Sequence, residues 1–402
     1  MTAAGKARRP GLRLGLALAG GGPEGAVYEL GALRALEEAL EGLDFNRVEV
    51  AVGVSAGSFI AACLANGLTT SQMCRAIVKP VAGEHPFSRE VFFTPAFGEF
   101  VRSGAAVPRL FLQALAAYLD DPEDQTLVDS LGRVGRALPL GLFDNEPIRA
   151  FLERIFSLEG RTDDFRRLRS KLVVVAADLC SGRAVRFGAA GLAHVPISQA
   201  VQASTALPGF YPPVEIDGHH YVDGVLLKTL HASVALDHGA KLVICVNPLV
   251  PADMTSRRHQ AGAACPPLLD GGLPTLLSQT FRTLIHSRLT VGFAAYKSRY
   301  PGADAVLFEP QRDEYDMFFA SIFSFRTRKA VAEHAYASTR RALVRRRAEL
   351  EPVFARHGIR FRDDVLADAD RELWDSVGLP MRHRTVAARL DRALSRLEQI
   401  LA

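Results

Sequence analysis

The stretch that most constrains the fold runs from Val48 to Ala65. An apolar, β-branched segment, Val48-Glu49-Val50-Ala51-Val52, leads straight into Gly53-Val54-Ser55-Ala56-Gly57. Phe59-Ile60-Ala61-Ala62-Cys63-Leu64-Ala65 follows and reads as a helix. A buried strand, a sharp G-x-S-x-G turn and a helix form the context in which this pattern marks a nucleophile elbow. Glycines there let the backbone turn tightly and clear space around the serine hydroxyl. Ser55 is therefore the first candidate nucleophile, supported by Gly53 and Gly57.

A second glycine-rich loop precedes it. Leu12 to Ala19 reads as a first buried strand, followed by Gly20-Gly21-Gly22-Pro23-Glu24-Gly25 and a helical stretch with Val27, Leu30, Leu33, Leu36 and Leu40 on one face. As G-x-G-x-x-G this loop could seat a dinucleotide pyrophosphate. That reading requires an acidic residue ending the second strand, which ends instead in Val54-Ser55, with Glu49 near its beginning. The competing reading is an oxyanion hole: backbone N–H groups beside a helix N-terminus, poised for a developing negative oxygen. Both loops end parallel strands, so they should open on the same sheet edge.

Further strands are expected at 171–178, 184–187, 214–216, 219–223, 241–248 and 305–308, with helices opening at Asp144-Asn145-Glu146-Pro147, over 197–207 and over 276–300. Asp217-Gly218 reads as a hairpin turn. Asp178, closing a strand before Ser181-Gly182, reads as a turn former ahead of a catalytic acid. Asp223-Gly224 ends a strand, where a carboxylate can point from the sheet edge. Residues 66–140 are irregular, broken by Pro80, Pro86, Pro95 and Pro108, with Phe87, Phe92, Phe93, Phe97 and Phe100 clustered within. An apolar cap over an acyl-chain site and an insertion with its own small core both fit. The last ~90 residues look mainly helical, ending in Val386, Leu390, Leu394, Leu397 and Leu401 at the spacing of an amphipathic helix.

Charge limits the partners. The net charge is +4, yet Arg326 to Glu349 carries eight Lys/Arg against two Asp/Glu. A segment of that kind faces an anionic surface or is an ordinary solvated helix face. The five cysteines, Cys63, Cys74, Cys180, Cys245 and Cys265, show no C-x-x-C spacing and read as free thiols of a reducing compartment. Lys6, Arg8 and Arg9 before Leu12–Ala19 imitate a short signal peptide, but Arg13 interrupts the apolar run. Residues 1–11 are expected to be a tail. A serine needs a base; His219, His220, His231, His238 and His286 all follow Ser55, so a Ser-His-Asp order stays open, although none sits in a motif.

Taken together, Gly20-Gly21-Gly22-x-x-Gly25, Gly53-x-Ser55-x-Gly57, the Ala203-Ser204-x-Ala206-x-Pro208 stretch and Asp223-Gly224 resemble the patatin-like phospholipases in order and approximate spacing, over about residues 12–312. The resemblance implies a three-layer α/β fold with a mostly parallel central sheet, residues 66–140 as a cap or insertion, and 313–402 as a helical C-terminal extension. It implies a Ser–Asp dyad without histidine: Ser55 as nucleophile, Asp223 as general base, and the Gly20, Gly21 and Gly22 backbone as oxyanion hole. Gly25, Gly53, Gly57 and Gly224 would support it. Substrates would be acyl esters of phospholipids or related lipids, with no cofactor, metal or nucleic acid. The setting would be cytoplasmic, with peripheral membrane contact through 326–347 and self-association through the C-terminal helix. Alternatives are a non-catalytic lipid-binding or scaffold protein on the same fold and a soluble Ser-His-Asp carboxylesterase. Two positions depart from the family: Glu24, where Arg or Lys is usual, and Val225, where Gly or Ala is usual. Glu24 is expected to alter rate or substrate choice.

Overall fold

The computed structural model describes residues 13–79, 90–96, 139–251, 272–311 and 327–377. The expected N-terminal tail, most of the 66–140 insertion with Phe87, Phe97 and Phe100, Arg326, and the amphipathic helix ending at Leu401 lie outside the described residues.

The chain begins with β1 (Leu14–Leu18), α1 (Gly22–Ala39), β2 (Val50–Val54) and α2 (Ala56–Ala65). Next come α3 (Glu146–Phe156), β3 (Lys171–Asp178), β4 (Arg183–Phe187), α4 (Ile197–Thr205), β5 (Val214–Ile216) and β6 (His219–Asp223). It continues through α5 (Ala232–Asp237), β7 (Leu242–Val246), α6 (Gly272–Ala294), β8 (Asp304–Phe308), α7 (Arg328–Arg345) and α8 (Arg347–Arg356). Each strand foreseen in the sequence is present, to within a residue or two at its ends.

The main sheet runs β8-β7-β1-β2-β3-β6-β5, with β4 also paired to β3. β8, β7, β1, β2 and β3 are mutually parallel; β6, β5 and β4 join antiparallel. The parallel strands are apolar on both faces because helices cover both. Leu14, Leu16 and Leu18 of β1 face one core layer with Leu30, Leu33 and Leu36 of α1, whereas Ala17 faces the other with Val234 and Ala235 of α5. This alternation is the period-2 geometry of a strand. The result is a three-layer α/β unit. β5 and β6 form the expected hairpin: Asp217 and Gly218 take φ of 52° and 77°, as a two-residue turn with both centres left-handed requires.

The C-terminal helices are not a separate body. Gly31 of α1 lies so close to α7 that a Cβ there would stand 2.3 Å from the Ala332 carbonyl oxygen. Tyr336, Leu343 and Phe354 join the α1 side of the core. A short pairing of Arg360–Phe361 with Leu40–Glu41 ties the later chain to the end of α1.

Candidate active site

Strand β3 changes partner along one edge, and the candidate residues meet at that change. Val54 pairs with Val175, and Asp223 pairs with Ala176, the next residue. β4 pairs with both Val175 and Ala176, through Arg186 and Val185, and so occupies the other edge. β2 and β6 therefore share one edge of β3 and meet end to end. Ser55, one residue beyond Val54, arrives beside Asp223.

The elbow is strained and braced. Ser55 has φ 53° and ψ −127° and stands at the N-cap of α2. Only over-determined surroundings hold a non-glycine residue with such backbone angles. The Ser55 amide donates to Ser204 Oγ at 2.8 Å, and that hydroxyl donates on to the Val175 carbonyl at 2.6 Å. Ser58 Oγ donates to the Ser55 carbonyl at 2.6 Å. Gly57 is required by close approach: a Cβ there would lie 2.5 Å from the Ala19 carbonyl oxygen, which the Gly57 amide itself contacts at 3.1 Å.

The Ser55 side chain lies near enough to the Asp223 carboxyl to favour its ionised form. Both residues are buried, at 6% and 2% exposure. Burial pushes the Asp223 carboxyl up to about 7, against the neighbouring Ser55 hydroxyl and the Val225 amide, which favour the anion. The Val225 amide donates to Asp223 Oδ1 at 2.9 Å and fixes the carboxylate rotamer. A carboxylate of this kind can take a hydroxyl proton near neutral pH.

The first glycine loop closes on the same point. A Cβ on Gly20 would stand 3.1 Å from Ser55 Cβ, so the loop backbone lies against the elbow. Gly21 precedes α1, and no side chain caps that helix. Gly21 and Gly25 both pack on Pro248, at the end of β7. Amides of an uncapped helix N-terminus are natural donors to a developing anion.

Residues 16–236 match the patatin-like phospholipase family, more than half of the chain. The chain belongs to that family. Among solved structures, it is similar to VipD from Legionella pneumophila at 15% identity over 82% of this chain and 66% of that one, with a TM-score of 0.36. It is similar to the type III effector ExoU at 15% identity over 84% and 54%, with a TM-score of 0.33. The Pseudomonas aeruginosa ExoU–SpcU complex gives 20% identity over 49% and 38%, with a TM-score of 0.25. The chain thus spans less than two thirds of the length of each of these proteins.

This patatin-like chain accommodates both of its departures. Val225 fills the space beside Gly20: its Cγ2 would lie 3.2 Å from a Cβ there. Glu24, in the first turn of α1, is half-buried, and desolvation raises its carboxyl to about 7. Thr327 Oγ1 donates to it at 3.2 Å, and the charge of Arg282 on α6 opposes the rise. Arg282 is itself buried, with a guanidinium contact to the Val250 carbonyl at 3.5 Å. Sequence reasoning missed Arg282, because nothing in α6 announces which residue turns toward a loop 258 positions earlier.

Three of the candidate histidines have neighbours or surroundings of their own. His219 Nδ1 lies 3.4 Å from Asp178, and His220 lies 4.0 Å from Glu215. Burial drives His231 down to about 3, which keeps it neutral. Asp178 accepts from the Cys180 amide at 2.9 Å, the turn-forming geometry expected of it.

The described part of the insertion packs on α2 through aromatics. Tyr211 donates to the Phe92 carbonyl at 2.8 Å, and Phe92 contacts Phe59 of α2 with ring centroids 6.3 Å apart. Phe59 also stacks on Phe151 at 6.2 Å. These two rings, with Cys63 and Met73, help line an apolar cavity of about 270 Å³ along α2.

Proposed function

We propose that the protein is a serine lipid acyl hydrolase acting through a Ser55–Asp223 dyad. The observation that carries this reading is a strained elbow serine set beside a buried, desolvated carboxylate. Asp223 takes the Ser55 hydroxyl proton as Oγ attacks an ester carbonyl. The Gly20, Gly21 and Gly22 backbone amides and the α1 N-terminus receive the oxyanion. Collapse expels the alcohol, which carries away the proton from Asp223 and leaves an acyl-enzyme. Water, deprotonated by Asp223, then releases the fatty acid and regenerates Ser55.

Family membership supports acyl esters of phospholipids or related lipids as substrates. Contact with the bilayer is peripheral in this reading: no helix among the described residues is long and apolar enough to cross a membrane. Phe281, Leu284 and Val291 of α6 are exposed large apolar side chains suited to an interface. The basic segment at 326–347 contributes less to such a surface than its charge suggests. Arg340 is buried on the Val365 and Asp368 carbonyls, Arg346 pairs with Glu349, and Arg347 pairs with Glu351 and Asp363. In this reading residues 12–312 form the catalytic unit and 313–402 a helical extension, of which the described helix α7 packs on α1.

Ionised Glu24 beside the glycine loop would oppose an oxyanion and so favour a non-catalytic protein on this fold. The Thr327 hydrogen bond and the nearby Arg282 charge favour the catalytic reading. Incubation with phospholipid vesicles tests the proposal: fatty acid release that is absent in Ser55→Ala supports it. Equal release from both proteins, or none from either, counts against it.

A further inference from the structure

We propose that Asp178, Cys180 and His219 form a binding site for a zinc-class divalent ion, separate from Ser55 and Asp223. A carboxylate oxygen, the thiol sulfur and a ring nitrogen of these three lie within 4.8 Å of one another. They come from two elements that the sheet locks together. Asp178 ends β3, and Cys180 lies in the turn after it; His219 begins β6, whose Tyr221 pairs with Asp178. The Leu179 amide donates to the His220 carbonyl at 2.9 Å, which ties that turn to the strand carrying the histidine.

The chemistry of the three donors is selective. Calcium and magnesium take oxygen ligands, whereas a mixed oxygen, sulfur and nitrogen set suits zinc and its neighbours. Ligand atoms at about 2.0–2.3 Å from a tetrahedral zinc stand roughly 3.3–3.7 Å apart. His219 Nδ1 and Asp178 Oδ2 are already 3.4 Å apart. Asp178 is held in place from outside: Oδ1 accepts from the Cys180 amide at 2.9 Å and Oδ2 from the Ser181 hydroxyl at 2.7 Å. Outer hydrogen bonds of that kind orient metal-binding carboxylates. Cys180 is exposed and His219 is 54% exposed, so an ion can enter from solvent. Three protein donors leave a fourth position for water.

Binding would form a metal–thiolate bond and release the Cys180 thiol proton to solvent, so affinity should rise with pH. The ion would join β3 to β6 four residues before Asp223, about 13 Å along the strand. It would act as a staple on the strand that carries the candidate base and takes no part in the ester chemistry. The sequence conceals the site because His219 is contributed by a hairpin distant from the Asp178–Cys180 turn.

The test uses metal-stripped full chain titrated with Zn2+ against a chromophoric chelator, and with Co2+ followed by absorbance. We expect a single ion per chain and a thiolate-to-cobalt charge-transfer band. That band should be lost in Cys180→Ser, and zinc affinity should fall at least tenfold in His219→Ala. Zinc should raise the melting temperature of the wild-type chain and of Ser55→Ala but not of Cys180→Ser. No band in the wild-type chain would overturn the proposal. So would zinc affinity unchanged in both Cys180→Ser and His219→Ala, which would mark adventitious binding elsewhere.

Discussion

The Ser55 hydroxyl and the Asp223 carboxylate stand side by side at the point where β3 exchanges β2 for β6 as its edge partner. Two residues 168 positions apart thus meet through register, with Val54 opposite Val175 and Asp223 opposite Ala176. A one-residue slip of β6 against β3 would turn the Asp223 side chain to the other face of the sheet, and a slip of β2 would displace Ser55 instead.

The first prediction concerns pH. Only ionised Asp223 can accept the serine proton, so the rate of Ser55 acylation should rise with pH through about 7. Stability should move the opposite way. A carboxyl raised from 3.8 to about 7 binds its proton more tightly in the folded chain, so folding weakens as pH climbs from about 4 to about 7. Asp223→Asn removes that penalty, worth on the order of 2–4 kcal/mol. Thermal melts at pH 8 should show the variant more stable and inactive.

Ser204 is a positioning residue. Its hydroxyl receives the Ser55 amide and donates to Val175, so Ser204→Ala strands two buried backbone groups. The expected cost is about 1–3 kcal/mol of stability. Acylation should slow as well, because the strained Ser55 backbone loses its brace. Denaturant melts and serine-probe kinetics measure the two effects separately.

Glu24 and Arg282 should be energetically coupled. Arg282→Gln removes the charge that favours ionised Glu24, so at a pH above about 8, where Glu24 ionises beside the glycine loop without its positive neighbour, turnover should fall about tenfold. Adding Glu24→Gln to that chain should restore most of the loss. A double-mutant cycle on ester hydrolysis reads the coupling. Additive effects would mean that the two side chains act independently.

Replacing His220, His231, His238 or His286 with Gln should leave acylation of Ser55 within about twofold of wild type, since the carboxylate alone supplies the base. Loss of acylation in any one folded variant would return the Ser-His-Asp reading.

Much of this architecture is legible in the chain itself. The runs Leu14–Leu18, Val50–Val54, Lys171–Asp178 and Leu242–Val246 read as strands because parallel strands buried on both faces are continuous apolar runs. Ser55 and its glycines read as an elbow because strand, turn and helix are contiguous in sequence. Contacts between distant elements are another matter. Ser204 bracing Ser55, Arg282 facing Glu24 and His219 joining Asp178 all depend on sheet register and helix rotation, which leave no local trace. The basic segment at 326–347 misleads for the same reason. Its composition resembles a surface, yet Arg340 sits inside, on backbone carbonyls.

The most direct test of the central claim is labelling by a fluorophosphonate serine probe of the wild-type protein, Ser55→Ala and Asp223→Ala, each checked for a folded melt. The dyad predicts labelling of the wild-type chain at Ser55 and its loss in both variants. Wild-type protein that is folded yet unlabelled, or Asp223→Ala that labels as fast as wild type, would contradict it.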